Sequence, residues 1–171
     1  MDGVLWRSNT AVATKNIESL ARGGFGALVA VTPEYRPPPY AQRARELGME
    51  FSHLFFWWTK FPPGEREFAK FFRIVAENEL KGKKVLVHCG GGLLNSGIFS
   101  SAYLMAKGKP TKAEDYDFLI KVPKRRLSEL YRSAESMVKA RGSALMIKSR
   151  RAKRIPIKGV RRTMQKGRHG S

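Results

Sequence analysis

The sequence predicts an α/β domain, with helices flanking a mostly parallel central sheet, followed by a basic tail that is disordered or ordered by a partner. Three observations carry that expectation. Short apolar runs alternate with segments of helical periodicity up to residue 141. One of those runs, Lys84-Val85-Leu86-Val87-His88, feeds a glycine loop that opens an apolar helix. From Arg141 onward the chain carries no acidic residue at all. Strand, tight loop and helix in alternation is the pattern of a parallel sheet, which binds ligands at the carboxyl edge of its strands.

The elements follow in order. Val4 to Arg7 reads as a short first strand, and Thr14 to Arg22 as a helix with Ile17, Leu20 and Ala21 on one face, closed by Gly23-Gly24. Ala27 to Val31 is a continuous apolar run suited to a strand buried on both faces, ended by Thr32-Pro33. Tyr35 to Tyr40, with Pro37-Pro38-Pro39, forms a stiff extended loop; Ala41 to Leu47 is helical and stops at Gly48. Glu50 to Phe56 supplies another strand. Glu65 to Leu80 places Phe68, Phe71, Phe72, Val75 and Leu80 at helical spacing before Gly82. After the glycine loop a helix runs to Lys107, and Thr111-Lys112-Ala113-Glu114 has the form of a capping box opening a helix to Val122. The last helix spans Leu127 to Arg141.

Composition sets the outer bounds. A chain of 171 residues with 42% hydrophobic content fits one well-buried domain, here 1–141, and a tail, 142–171. One cysteine makes no internal disulfide, and no apolar run is long enough for a membrane span or a signal peptide, so the expected protein is soluble, cytoplasmic and without membrane contact. His53, His88 and His169 are scattered, and no metal site or cofactor is expected.

The net charge of +19 is unevenly placed: 11 of the 33 Lys and Arg residues lie in Arg141–Ser171, leaving 22 against 14 acidic residues before it. Such a tail repels itself and is disordered alone, and a polyanion would screen it with release of counterions. The expected partner is structured RNA such as rRNA. The contacts would come from Lys148, Arg150, Arg151, Lys153, Arg154, Lys158, Arg161, Arg162, Lys166 and Arg168 in the tail, and from Lys124, Arg125 and Arg126 in the domain. A tail serving only solubility is the plainer alternative. Phe55, Phe56, Trp57, Trp58 and Phe61 form an aromatic cluster suited either to the core or to stacking on bases.

The densest chemistry lies at His88-Cys89-Gly90-Gly91-Gly92-Leu93-Leu94-Asn95-Ser96-Gly97. A glycine loop entering a helix converges backbone N–H groups on one point, and the helix dipole adds positive potential there. Cys89 at the strand end is either a nucleophile facing that point or a small buried hydrophobe. The segment resembles the signature of the cysteine-dependent protein tyrosine and dual-specificity phosphatases, His-Cys-x5-Arg-Ser/Thr-Gly, over residues 1 to about 140. The resemblance implies a phosphatase-type fold, with Cys89 at the nucleophile position and Gly90 to Leu94, Ser96 and Gly97 as the phosphate-binding loop.

Three departures qualify what the resemblance implies for catalysis. Asn95 stands where the family has arginine, and a neutral carboxamide cannot replace a bidentate guanidinium on the transferring phosphoryl group. Losing one preorganised donor costs about 3–4 kcal/mol in acyl-transfer sites, so a loss of roughly 10³-fold or more in rate follows. The stretch Phe55 to Pro63, where the family keeps its general acid, has no carboxylate; Glu65 and Glu67 come just after it, and Glu65 is the candidate substitute. Where many members position water with glutamine, this chain has Val122-Pro123-Lys124-Arg125-Arg126. The combination reads as a pseudophosphatase that binds RNA or a ribonucleoprotein such as a ribosome. The alternatives are a slow phosphatase using Arg125 or Arg126 as its cation, and capture of a phosphorylated protein without hydrolysis.

Overall fold

The computed structural model describes residues 3–33, 37–54, 62–111 and 119–152, with side chains up to residue 144. Four strands form one parallel sheet: β1 (Leu5–Asn9), β2 (Phe25–Ala30), β3 (Glu50–His53) and β4 (Lys84–Cys89), in the spatial order β1-β4-β2-β3. Six helices join them: α1 (Thr10–Lys15), α2 (Ile17–Arg22), α3 (Tyr40–Glu46), α4 (Glu65–Leu80), α5 (Leu94–Ala106) and α6 (Lys124–Ala152). The α/β class and the parallel sheet expected from the sequence are the observed ones. The sheet and its helix layers lie in the unit Met1–Lys139; in the separate unit Ala140–Ser171, residues 140–152 are helical.

Strand alternation divides the core. Ala27, Val29, Val31, Val85 and Val87 face Phe68, Phe71, Phe72, Ile98, Phe99, Tyr103, Leu127 and Tyr131 of α4, α5 and α6, all buried. Leu28, Ala30 and Leu86, their neighbours in sequence, face Ala13, Ile17, Tyr40, Ala41 and Ala44 of α1, α2 and α3 on the other side. Both faces are therefore covered, which is why β2 and β4 read as unbroken apolar runs.

Several boundaries differ from the sequence expectation. The helix expected over Thr14–Arg22 is two short ones separated at Asn16, because Asn9 Oδ1 accepts the Val12 N–H at 2.8 Å and starts a helix at Thr10. β3 closes at His53, and Leu54 lies beyond it; Phe55 to Phe61 lie outside the described residues. The capping box at Thr111–Glu114 and most of the helix expected to follow it fall outside the described residues, and 120–123 lead into α6 without helix. The last helix starts three residues early, directly after Pro123, and continues through Gly142 to Ala152. Ala144 to Ala152 contains no proline to interrupt the helix.

At the end of α4, Glu79 accepts hydrogen bonds from Tyr131 Oη and from Lys107 Nζ, the latter at 2.9 Å, and Lys107 Nζ sits 5.0 Å from the centre of the Tyr131 ring. Burial first, and the Glu79 carboxylate second, push the Tyr131 phenol well above its ordinary range. Below about pH 10 the phenol is neutral folded and unfolded, and it adds no pH dependence. Above that, the unfolded chain gives up a proton that the folded chain keeps, so stability falls as pH rises. Tyr131→Phe is expected to flatten this alkaline limb in a series of thermal melts; an unchanged slope would rule the linkage out.

Candidate functional site: the glycine loop after β4

All four strands run the same way, so their carboxyl ends share one edge. Cys89 pairs with Asn9 on one side, and the ladder on the other side continues as Val31 N–H donates to His88 O at 2.9 Å. This brings the end of β1, the end of β2 and the loop Gly90–Leu93 together over the start of α5. The expected loop residues thus lie in one place: Gly90, Gly91, Leu93, Leu94, Cys89 and Asn95, with Pro33, line a pocket of about 330 Å³.

The loop's shape depends on Gly92. Its φ is +74°, and a Cβ there would come within 2.8–2.9 Å of Asn9 N, Ser8 C and Ser8 O, all backbone. Glycine is the residue that both tolerates the left-handed conformation and permits that approach. Among the described residues, no acceptor receives the backbone N–H groups of Gly90, Gly91, Gly92, Leu93, Leu94, Asn95 or Ser96. N–H groups without such partners, ahead of the positive end of a 13-residue helix, are donors of the kind that suit an anion.

Cys89 is buried, and its Sγ lies 3.3 Å from Ser96 Oγ, itself fully enclosed in the first turn of α5. Ser100 Oγ donates to Ser96 O at 2.8 Å and holds that turn. Behind the cysteine, His88 is fully buried: Nε2 lies 2.6 Å from Tyr40 Oη and Nδ1 lies 3.4 Å from Thr10 Oγ1, which also donates to Cys89 O at 3.2 Å. His88 therefore anchors the strand end and is not among the residues lining the pocket.

Asn95 is 6% exposed. Its Nδ2 donates to Val31 O across a long 3.4 Å, and its Oδ1 has no donor. Leaving such an acceptor unpaired costs about 1–3 kcal/mol. Among the described residues, no Lys, Arg, Asp or Glu lines the pocket.

The comparisons divide sharply. No protein-family model matches the chain, and no curated protein does. Solved structures do match: the active form of Tk-PTP is 24% identical, with 77% of this chain and 90% of that chain covered and a TM-score of 0.51. The fold is that of the protein tyrosine phosphatases. PTPMT1 in complex with PI(5)P aligns at 15% identity over 82% of this chain and 96% of that one, with a TM-score of 0.53. The human tyrosine phosphatase-like serine/threonine/tyrosine-interacting protein aligns at 18% identity over 78% and 91%, also at 0.53.

Within this phosphatase fold the cations named from the sequence are placed as follows. Lys124, Arg125 and Arg126 occupy the first turn of α6, where the helix dipole disfavours positive charge. Carboxylates offset it: Arg126 is bound by Glu65 at 2.9 Å and Glu129 at 3.2 Å, and Arg125 by Glu129 at 3.2 Å. These bonds, Glu65 foremost, hold the Arg126 guanidinium above its ordinary range, and Arg126 in turn holds the Glu129 carboxyl low. The two arginines considered as a substitute cation, and Glu65 considered as a substitute acid, are thus bound to acidic or basic partners and are not among the residues lining the loop pocket. Lys148, Arg150 and Arg151 belong to the last turns of α6. Lys153, Arg154, Lys158, Arg161, Arg162, Lys166 and Arg168 lie outside the described residues, as do Trp57, Trp58 and the segment aligned with the general acid.

Sequence reasoning missed Tyr40, Thr10 and Pro33. Tyr40 and Thr10 are 48 and 78 residues from His88, and only the order of strands brings them to it.

Proposed function

We propose that this chain is a phosphatase-fold protein that binds phosphate at the glycine loop without hydrolysing it, and that docks on RNA or a ribonucleoprotein, such as a ribosome in the cytoplasm, through its basic residues. The observation that carries the first part is Asn95, in place of an arginine, beside Cys89 in a pocket whose described lining residues include no cation and no carboxylate. The loop amides stabilise a bound anion, while among the described lining residues no guanidinium meets the charge that builds on a transferring phosphoryl group and no acid meets the leaving oxygen. The RNA reading rests on 11 cations and no acid in Arg141–Ser171.

A second reading, capture of a phosphorylated protein by the same loop, draws support from the human structural neighbour whose name describes it as phosphatase-like and as interacting with serine, threonine and tyrosine.

The test of inactivity is hydrolysis of an aryl phosphate by the wild type, Cys89→Ser and Asn95→Arg. The wild type is expected to match Cys89→Ser, and Asn95→Arg to remain slow for want of an acid. Hydrolysis that vanishes on Cys89→Ser would overturn this part. For RNA, retention is expected to fall steeply with salt, by a log–log slope of about −0.9 per phosphate contacted, and to weaken on removing 142–171. Retention that ignores both salt and the tail would overturn the second part.

A further inference from the structure

Asn95 differs from an arginine in sign as well as strength, because it offers an acceptor. Its Oδ1 is buried and has no donor, it lies on the turn that also carries Ser96 beside Cys89 Sγ, and Asn95 lines the pocket. Only the 3.4 Å contact from Nδ2 to Val31 O restrains the carboxamide, and rotation about its last bond has broad wells. The loop N–H groups supply donors; among the described residues lining the pocket, Asn95 Oδ1 is the buried side-chain acceptor left without a hydrogen.

We propose that the loop selects the singly protonated form of a phosphomonoester, with the loop amides taking its charged oxygens and its P–OH donating to Asn95 Oδ1. This rests on the phosphate-binding reading above. A phosphomonoester carries that proton below its second pKa of about 6 and loses it above. A phosphodiester has the same single charge and never has the proton. The loop therefore discriminates a terminal phosphate from the internal phosphates of a nucleic-acid backbone, and the RNA contacts fall to the basic residues alone.

The pocket contains few other groups that titrate. β4 brings Cys89 and the enclosed His88, the end of β2 brings Val31 and Pro33, α5 brings Asn95 and Ser96, and α1 brings Thr10; His53 at the end of β3 is bonded to Thr32 Oγ1 at 2.9 Å. Cys89, the titratable side chain among the described lining residues, is the alternative to control.

The experiment is titration of the full chain with phenyl phosphate and with methyl phenyl phosphate, from about pH 5 to about pH 8. Phenyl phosphate affinity is expected to fall about tenfold per pH unit above the ligand's second pKa, and the diester to bind at least tenfold more weakly than the monoanion with no such fall. Cys89→Ser should keep this order, Asn95→Leu should abolish it, and Asn95→Arg should reverse it in favour of the dianion; thermal melts establish that each variant is folded. Monoester binding that is as tight at about pH 8 as at about pH 5, a diester that binds equally, or a pH preference lost in Cys89→Ser would overturn the proton selectivity while leaving phosphate binding intact. No binding of phenyl phosphate at any pH would overturn both readings.

Discussion

Gly92→Ala is expected to destabilise the domain by about 3 kcal/mol or more and to abolish phosphate binding at the loop. Two terms add. An L-residue at φ +74° costs about 1–2 kcal/mol. The new Cβ also meets three backbone atoms of Ser8 and Asn9 at 2.8–2.9 Å, and these cannot rotate away as a side chain would. Asn9 is held by its pairing with Cys89 and by its cap on α1, so displacement there loosens the strand edge and the helix together. Gly91→Ala is the matched control, since a Cβ at Gly91 meets nothing within 4 Å. Denaturant melts and phenyl phosphate titration of the two variants give the check. Equal behaviour would show that the loop adapts without reference to β1.

Phe99→Ala is expected to cost about 3–5 kcal/mol, or roughly 10–20 °C in melting temperature. Phe99 is fully buried in α5, with its ring centre 5.3 Å from that of Phe68 and 5.2 Å from that of Phe71. Those rings in turn contact Phe72, which meets Tyr131 edge-on at 5.5 Å. Removing the central ring leaves a cavity between two helices that are stacked on one sheet face, where collapse is limited by β2 and β4. Phe99→Leu, which keeps most of the volume, should cost clearly less; a loss under about 1 kcal/mol for Phe99→Ala would contradict this packing.

Sequence made the central unit plain and its surroundings less so. β2 and β4 announce themselves because burial on both faces leaves no polar alternation, and α4 because its phenylalanines repeat at helical spacing. The loop was legible because strand, cysteine, glycines and helix are contiguous. Asn9 and Asn16 were harder: each is a short polar residue that ends or begins a helix according to which hydrogen bond it finds, and Asn9 found the Val12 N–H while Asn16 found Val12 O. Arg126 read as a free cation because one of its carboxylates, Glu65 on α4, is 61 residues away, whereas Glu129, which binds Arg125 and Arg126 alike, lies within one turn of both. Likewise nothing local to His88 points to Tyr40, a residue that follows three prolines.

The spatial order β1-β4-β2-β3 has a consequence for the chain as it is made. β1 and β2 are made before β4, yet they are never neighbours: the place between them belongs to β4, which ends at Cys89. β1 must wait for its partner, and β2 for its second one, until Lys84–Cys89 has emerged. The sheet closes last at its centre, so the strand that completes the hydrogen-bond ladder is the strand that carries the cysteine. Assembly of the core and assembly of the cradle are the same late event.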